Sequence, residues 1–223
     1  MQSPLITYLE DFVSERRKAL FTRILAARTR HFTVVLEDIF QPHNASAVVR
    51  TCDIFGIQDV HVIENKYINK MSRHVAKGAQ KWLTIHQHNQ EAHNTATCLD
   101  VLRAEGYQII ATTPHNDSCL LADFDVTKKS AFVFGVEKEG VSEFVKEQAD
   151  GFLKIPMAGF TESLNISVAA AIILQDTTTK LKKSKVDWEL SSVEKEGIYA
   201  EWIQKSIKNV TQITERYHEE REN

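Results

Sequence analysis

Short apolar runs rich in β-branched and aromatic residues recur at 32–36, 60–63, 82–85, 107–111, 131–134 and 152–155. Each is too brief for a helix and is predicted as a strand. Between several of them the apolar spacing changes to three and four. Ala45, Val48, Val49, Cys52 and Phe55 share one helical face, with Asn44 placed to cap the start and Gly56 to close the end. A second helix is expected over about 90–105, stopping at Gly106, a third from near Ser142, and a fourth carrying the apolar stretch 166–174. Strands alternating with helices predict an α/β fold: a mainly parallel sheet with helices on both faces.

The two ends stand outside this alternation. Residues 1–30 read as one basic helix in which Arg16, Arg23 and Arg30 recur at sevens and share a face. The tail places Ile203, Ile207, Val210 and Tyr217 on one stripe, as a docking helix would, and Lys180, Lys182, Lys183 and Lys185 mark a linker before it. The expected organisation is therefore a basic amino-terminal helical extension (1–30), a core domain (31–182) and a carboxyl-terminal helical extension (183–223).

Composition refines this in two ways. The formal net charge of -3 conceals a basic cluster, since residues 16–30 hold five arginines and one lysine without an acid, which suits a polyanion. The three cysteines, Cys52, Cys98 and Cys119, have neither the pairing of a disulfide framework nor zinc spacing, so a reducing, cytoplasmic setting is expected. The opening MQSPLITYLEDF has no basic leader before an apolar core, and no run approaches the roughly 18 apolar residues of a membrane span. A soluble protein without membrane association is expected.

An open α/β sheet binds ligands beyond the carboxyl ends of its strands, and there the chain turns small and polar. One end reads Ala111-Thr112-Thr113-Pro114, the next Phe134-Gly135-Val136-Glu137-Lys138-Glu139-Gly140, and the third Ile155-Pro156-Met157, continuing to Ser163-Leu164-Asn165. Gly135 and Gly140 permit tight turns and close approach to a ligand, or they only turn the chain. A nicotinamide-type Rossmann site is disfavoured, because no glycine follows Leu36 until Gly56. The segment 163–171 reads either as a capped core helix or as a helix start built for a ligand. Arg50, in an otherwise small and apolar helical segment, either pairs with an acid, reaches to solvent, or binds an oxyanion or phosphate through its fork. His43, His74, His86, His88, His93 and His115 show no metal-binding spacing, and no metal is expected. Trp82 is either core or a base-stacking residue.

Three phrases in this order, NASAVVRTCDIFG from Asn44, FGVEKEGVS from Phe134 and IPMAGFTESLNISVAAA from Ile155, resemble the SpoU, or TrmH, family of SPOUT-class RNA 2′-O-ribose methyltransferases. The resemblance spans about 32–180. It implies a carboxyl-terminal deep trefoil knot whose loops hold S-adenosylmethionine in a bent shape. Thr112, Phe134, Gly135, Glu137, Ile155, Met157, Ser163 and Leu164 would then line the cofactor site. It also implies a homodimer whose active site is shared between subunits, with Arg50, Asn44, Glu137, Ser163 and Asn165 as catalytic residues. Arg50 and Asn44 would reach the site across the interface. A basic amino-terminal helix with a carboxyl-terminal helix most resembles the branch that methylates guanosine 18 in the tRNA D-loop, Arg16, Arg23 and Arg30 then binding tRNA. Phe160-Thr161-Glu162 departs from the more apolar residues usual before Ser163 in that branch. Ribosomal RNA as substrate, or an inactive RNA-binding protein on the same fold, are the competing readings.

Overall fold

In the computed structural model the described residues are 3–67, 73–113, 118–136 and 139–222. Pro114, His115 and Glu137 lie outside them. The elements in chain order are α1 (Pro4–Glu10), α2 (Glu15–Leu25), β1 (Phe32–Glu37), α3 (Pro42–Phe55), β2 (Asp59–Ile63), α4 (Arg73–Ala76), β3 (Thr84–His88), α5 (Asn94–Ala104), β4 (Gln108–Thr112), β5 (Cys119–Leu120), β6 (Ser130–Phe134), α6 (Glu143–Gln148), β7 (Gly151–Lys154), α7 (Ile166–Lys183), α8 (Ser192–Ser206) and α9 (Val210–Glu222). They form two compact units, one of 29–188 and one joining 1–28 to 189–223.

In the larger unit seven strands form an all-parallel sheet of order β3-β2-β1-β6-β4-β7-β5. Alternation sorts each central strand onto two cores. Phe32, Val34 and Leu36 of β1 face a cluster shared with Val48, Val49 and Cys52 of α3 and Ala170, Ile173 and Leu174 of α7. Val35 faces the opposite cluster, with Cys98, Leu99 and Leu102 of α5 and Val145 of α6. Each fully buried side chain of this size stabilises the fold by about 1.5–3 kcal/mol relative to exposure. Among the described residues no helix is long and apolar enough to cross a membrane.

Several expected boundaries shift for physical reasons. The apolar run 82–85 is not the third strand: Trp82 closes a single 3-10 turn, and β3 begins at Thr84 and continues through His86, Gln87 and His88. As an edge strand it tolerates the polar residues that end the apolar pattern. The two-residue edge strand β5 leaves no periodic signal at all. Asn44 is not the cap of α3. Pro42 supplies the first turn after Gln41, and Asn44 lies within that turn. Gly56 closes the helix with a left-handed φ of 84°, as expected. α7 runs on to Lys183, so Lys180, Lys182 and Lys183 form its last turn, where cations complement the helix dipole, rather than a linker.

In the smaller unit the single amino-terminal helix proves to be two, interrupted at 11–14. Ile6, Leu9, Phe21 and Leu25 are buried there, as are Leu190, Ile198, Trp202 and Ile203. Phe21 meets Trp202 edge-on at 5.4 Å, and the Arg28 guanidinium lies 5.6 Å from the centre of the same indole ring. Ser191 and Glu194 form a reciprocal capping box at the start of α8. The expected tail stripe is divided between α8 and α9, which part before Asn209 at its positive φ of 60°.

Candidate functional site

The order β6-β4-β7 sets three carboxyl ends side by side. Thr112, ending β4, donates its hydroxyl to the carbonyl of Val133 at 2.8 Å, and the Thr113 amide donates to Leu153 at 3.1 Å. Around these ends lies a cavity of about 710 Å³ lined by Thr112, Phe134, Gly135, Ile155, Met157, Ser163 and Leu164 among others. That volume suits a nucleoside-sized ligand.

One wall is the loop after β6, which closes on itself. The Val136 amide donates to the Gly140 carbonyl at 2.9 Å and the Gly140 amide to Val136 at 2.7 Å. Gly140 adopts φ 72°, the left-handed region that favours glycine. Gly135 is required for a different reason, because a Cβ there would lie 2.0 Å from the Gly140 carbonyl oxygen. The sequence suggests glycine freedom at both positions but cannot reveal that one loop end packs against the other.

Glu139, Glu143, Glu147 and Glu162 also line the cavity, with Lys146, which is held by Glu143 at 2.6 Å. This acidic wall suits a cationic ligand. It escaped the sequence reading although acids are dense over 137–147, because acids at such spacing usually mark a solvated face.

The expected catalytic residues separate into groups. Ser163 lines the cavity. Asn165 caps α7, accepting from the Ser167 amide at 2.9 Å, and donates to the Asn44 side chain at 3.2 Å, so the first and third phrases meet within one chain. Arg50 is exposed on α3 and does not line the cavity. No hydrogen bond or ion pair engages it among the described residues, Asn44 included. Glu137 falls outside the described residues.

Arg16 and Arg23 are exposed on α2. Arg30 does not share their helix, which ends at Leu25. Its guanidinium is held by Asp59 at 2.6 Å in the larger unit. Burial pushes the Asp59 carboxyl up, but hydrogen bonds from His86 and Arg30 outweigh it and leave the group below its usual range.

A possible metal set is His61, His88 and Cys98, whose donor atoms lie within 4.8 Å of one another. The two imidazoles meet nitrogen to nitrogen at 3.1 Å with rings tilted by only 20°, one ring nitrogen donating its hydrogen to the lone pair of the other. Burial, with His86 and His88 adjacent, lowers the His61 pKa to about 3, keeping that ring neutral. His61 and Cys98 are buried and His88 is half-buried.

The SpoU rRNA Methylase family profile matches residues 31–175. The chain is 38% identical over 204 residues to a tRNA (guanosine(18)-2′-O)-methyltransferase of Borreliella burgdorferi, covering 92% of each protein. The solved Aquifex aeolicus TrmH/SpoU tRNA modifying enzyme is similar with a TM-score of 0.76 and 30% identity, over 87% of this chain and 98% of that one. The SpoU methyltransferase AviRb of Streptomyces viridochromogenes, solved with AdoMet, shares the fold at a TM-score of 0.62 and 24% identity, over 72% and 64% of the chains.

Proposed function

The chain belongs to the SpoU rRNA methylase family, and from that membership we propose that it transfers the methyl group of S-adenosylmethionine to the ribose 2′-hydroxyl of guanosine 18 in tRNA. The observation that carries this reading is the cavity at the ends of β4, β6 and β7. Its volume, its acidic wall and the close backbone approach at Gly135 fit a nucleoside with a cationic sulfonium. When bound, that cofactor supplies an already activated methyl group, so the protein's task is alignment.

In this reading Thr112, Phe134, Gly135, Ile155, Met157, Ser163 and Leu164 hold the cofactor, and Glu137 fixes the loop it belongs to. Asn44 and Asn165 together set the start of α7, the element that follows Ser163 and Leu164. Arg50 grips an RNA phosphate and stabilises the developing alkoxide at the 2′-oxygen, because an arginine stays protonated and serves poorly as a base.

Two copies complete the site, with Arg50 presented to the cavity of the partner. In support, Arg50 is not among the residues lining its own cavity, and α7 leaves Val168 45% and Ile172 38% exposed, one turn apart. The trefoil threading of the family belongs to the same reading, supported by a sheet that seats β6 between β1 and β4 and β7 between β4 and β5. The protein acts in the cytoplasm, and the reading gives no role to a metal.

Incubating the purified protein with labelled S-adenosylmethionine and total RNA, then mapping 2′-O-methylated nucleotides, tests the reaction. The expected product is tRNA methylated at guanosine 18. A ribosomal product would move the substrate to ribosomal RNA, and no transfer would leave an inactive RNA-binding protein.

Arg16 and Arg23 contact tRNA phosphates in this reading. Replacing both with glutamine should weaken tRNA binding and lower the slope of log affinity against log salt by about two. Affinity unchanged at low salt would remove α2 from the RNA-binding surface.

A further inference from the structure

We propose that Glu37 is a positioning residue for the cofactor cavity, acting through Ser142. The inference rests on the cavity being the cofactor site. Glu37 ends β1 and is only 3% exposed. One carboxylate oxygen accepts the Ser142 amide at 2.9 Å, and the other accepts the Ser142 hydroxyl at 2.8 Å and the Thr95 hydroxyl at 3.0 Å. Ser142 lies between Val141 and Glu143, both of which line the cavity.

The same strand also fixes the other end of this loop. Leu36 pairs with Phe134 in the sheet, and Phe134 begins the cavity wall. The wall residues Gly135, Val136, Gly140 and Val141 therefore lie between two points held by consecutive residues of β1, Leu36 through the backbone ladder and Glu37 through its side chain. Removing the carboxylate leaves the buried Thr95 hydroxyl and the amide and hydroxyl of the exposed Ser142 without their acceptor while the loop start stays in place. The far end of the wall is then free to shift, and the ligand that depends on both ends loses its fit.

The test compares Glu37→Ala, Glu37→Gln and Thr95→Val by calorimetric titration with S-adenosylmethionine, thermal melting, steady-state kinetics and hydrogen exchange at the Ser142 amide. Glu37→Ala should raise the cofactor Kd by about tenfold and speed exchange at Ser142, with KM for tRNA within about twofold of the parent. Glu37→Gln keeps an acceptor for the amide and should recover the Kd to within about threefold. Thr95→Val removes a bond to the same carboxylate without touching Ser142, so it should lower the melting temperature yet leave the cofactor Kd within about twofold.

An unchanged Kd in Glu37→Ala overturns the proposal. So do Kd losses that follow the melting temperature alike in all three variants, which mark a purely structural carboxylate. A parent chain that binds no S-adenosylmethionine, while Ser142 exchange still depends on Glu37, counts against the functional reading and leaves the link from Glu37 to the loop supported.

Discussion

Replacing Arg50 with lysine should lower kcat about a hundredfold while leaving the S-adenosylmethionine Kd within about twofold of the parent value. The two halves of this result come from different observations. Arg50 is exposed on α3 and absent from the lining of its own chain's cavity, so no cofactor contact within the chain depends on it. With no ionic or hydrogen-bond partner among the described residues, its guanidinium is available to an incoming anion. Lysine preserves the charge but loses the planar two-pronged contact with phosphate, so it isolates geometry from electrostatics. Single-turnover methylation of tRNA at saturating cofactor, beside direct cofactor titration, gives both numbers. Near-normal turnover in the lysine variant would mean that the fork is not what the reaction needs. A parallel loss of cofactor affinity would make Arg50 a cofactor contact rather than a phosphate and alkoxide ligand.

Arg50 also shows where sequence reading stops. Its apolar neighbours Val48 and Val49 reveal the buried face of α3, but nothing in the spacing decides whether an arginine beside them is paired or free. The central strands were legible because burial on both faces forces continuous apolar runs, as in β1 and β6. β3 and β5 were blurred or lost because edge strands need no such run. The strand ends holding Thr112, Phe134, Ile155 and Ser163 were legible as small, polar departures from the apolar pattern, but only the family resemblance joined them into one cofactor site, since the sheet order brings them together. Arg30 illustrates the opposite failure. A sevenfold spacing placed it on a helix with Arg16 and Arg23, but that helix ends at Leu25, and Asp59, distant in sequence, holds the guanidinium. Periodicity sees neither a chain break without proline or glycine nor an ion pair between remote residues. Asn44 and Asn165 likewise carried no sign that they touch.

The loop after β6 supports the second large effect, and two glycines within it separate its causes. Gly135→Ala should reduce S-adenosylmethionine affinity by at least about a hundredfold, whereas Gly140→Ala should reduce it by about tenfold or less. At Gly140 the obstacle is conformational. Its φ of 72° disfavours a side chain, but nothing lies within 4 Å of the added Cβ. Such strain costs about 1–2 kcal/mol and leaves the loop path available. At Gly135 the obstacle is steric and falls on backbone. The Cβ would stand 2.0 Å from the Gly140 oxygen, 2.3 Å from its carbonyl carbon and 2.4 Å from the Val141 nitrogen. No rotamer change relieves contacts with main-chain atoms. The loop must open, giving up both hydrogen bonds between Val136 and Gly140 and withdrawing Gly140 and Val141 from the cavity wall. Because the strands beneath are held by the sheet, the melting temperature should fall far less than the affinity. Calorimetric titration of the two variants with S-adenosylmethionine, beside thermal melting, checks the ordering. If Gly140→Ala proves the more damaging, close approach at Gly135 is not what shapes the wall. If Gly135→Ala instead lowers affinity only in proportion to lost stability, the loop serves the fold rather than the ligand.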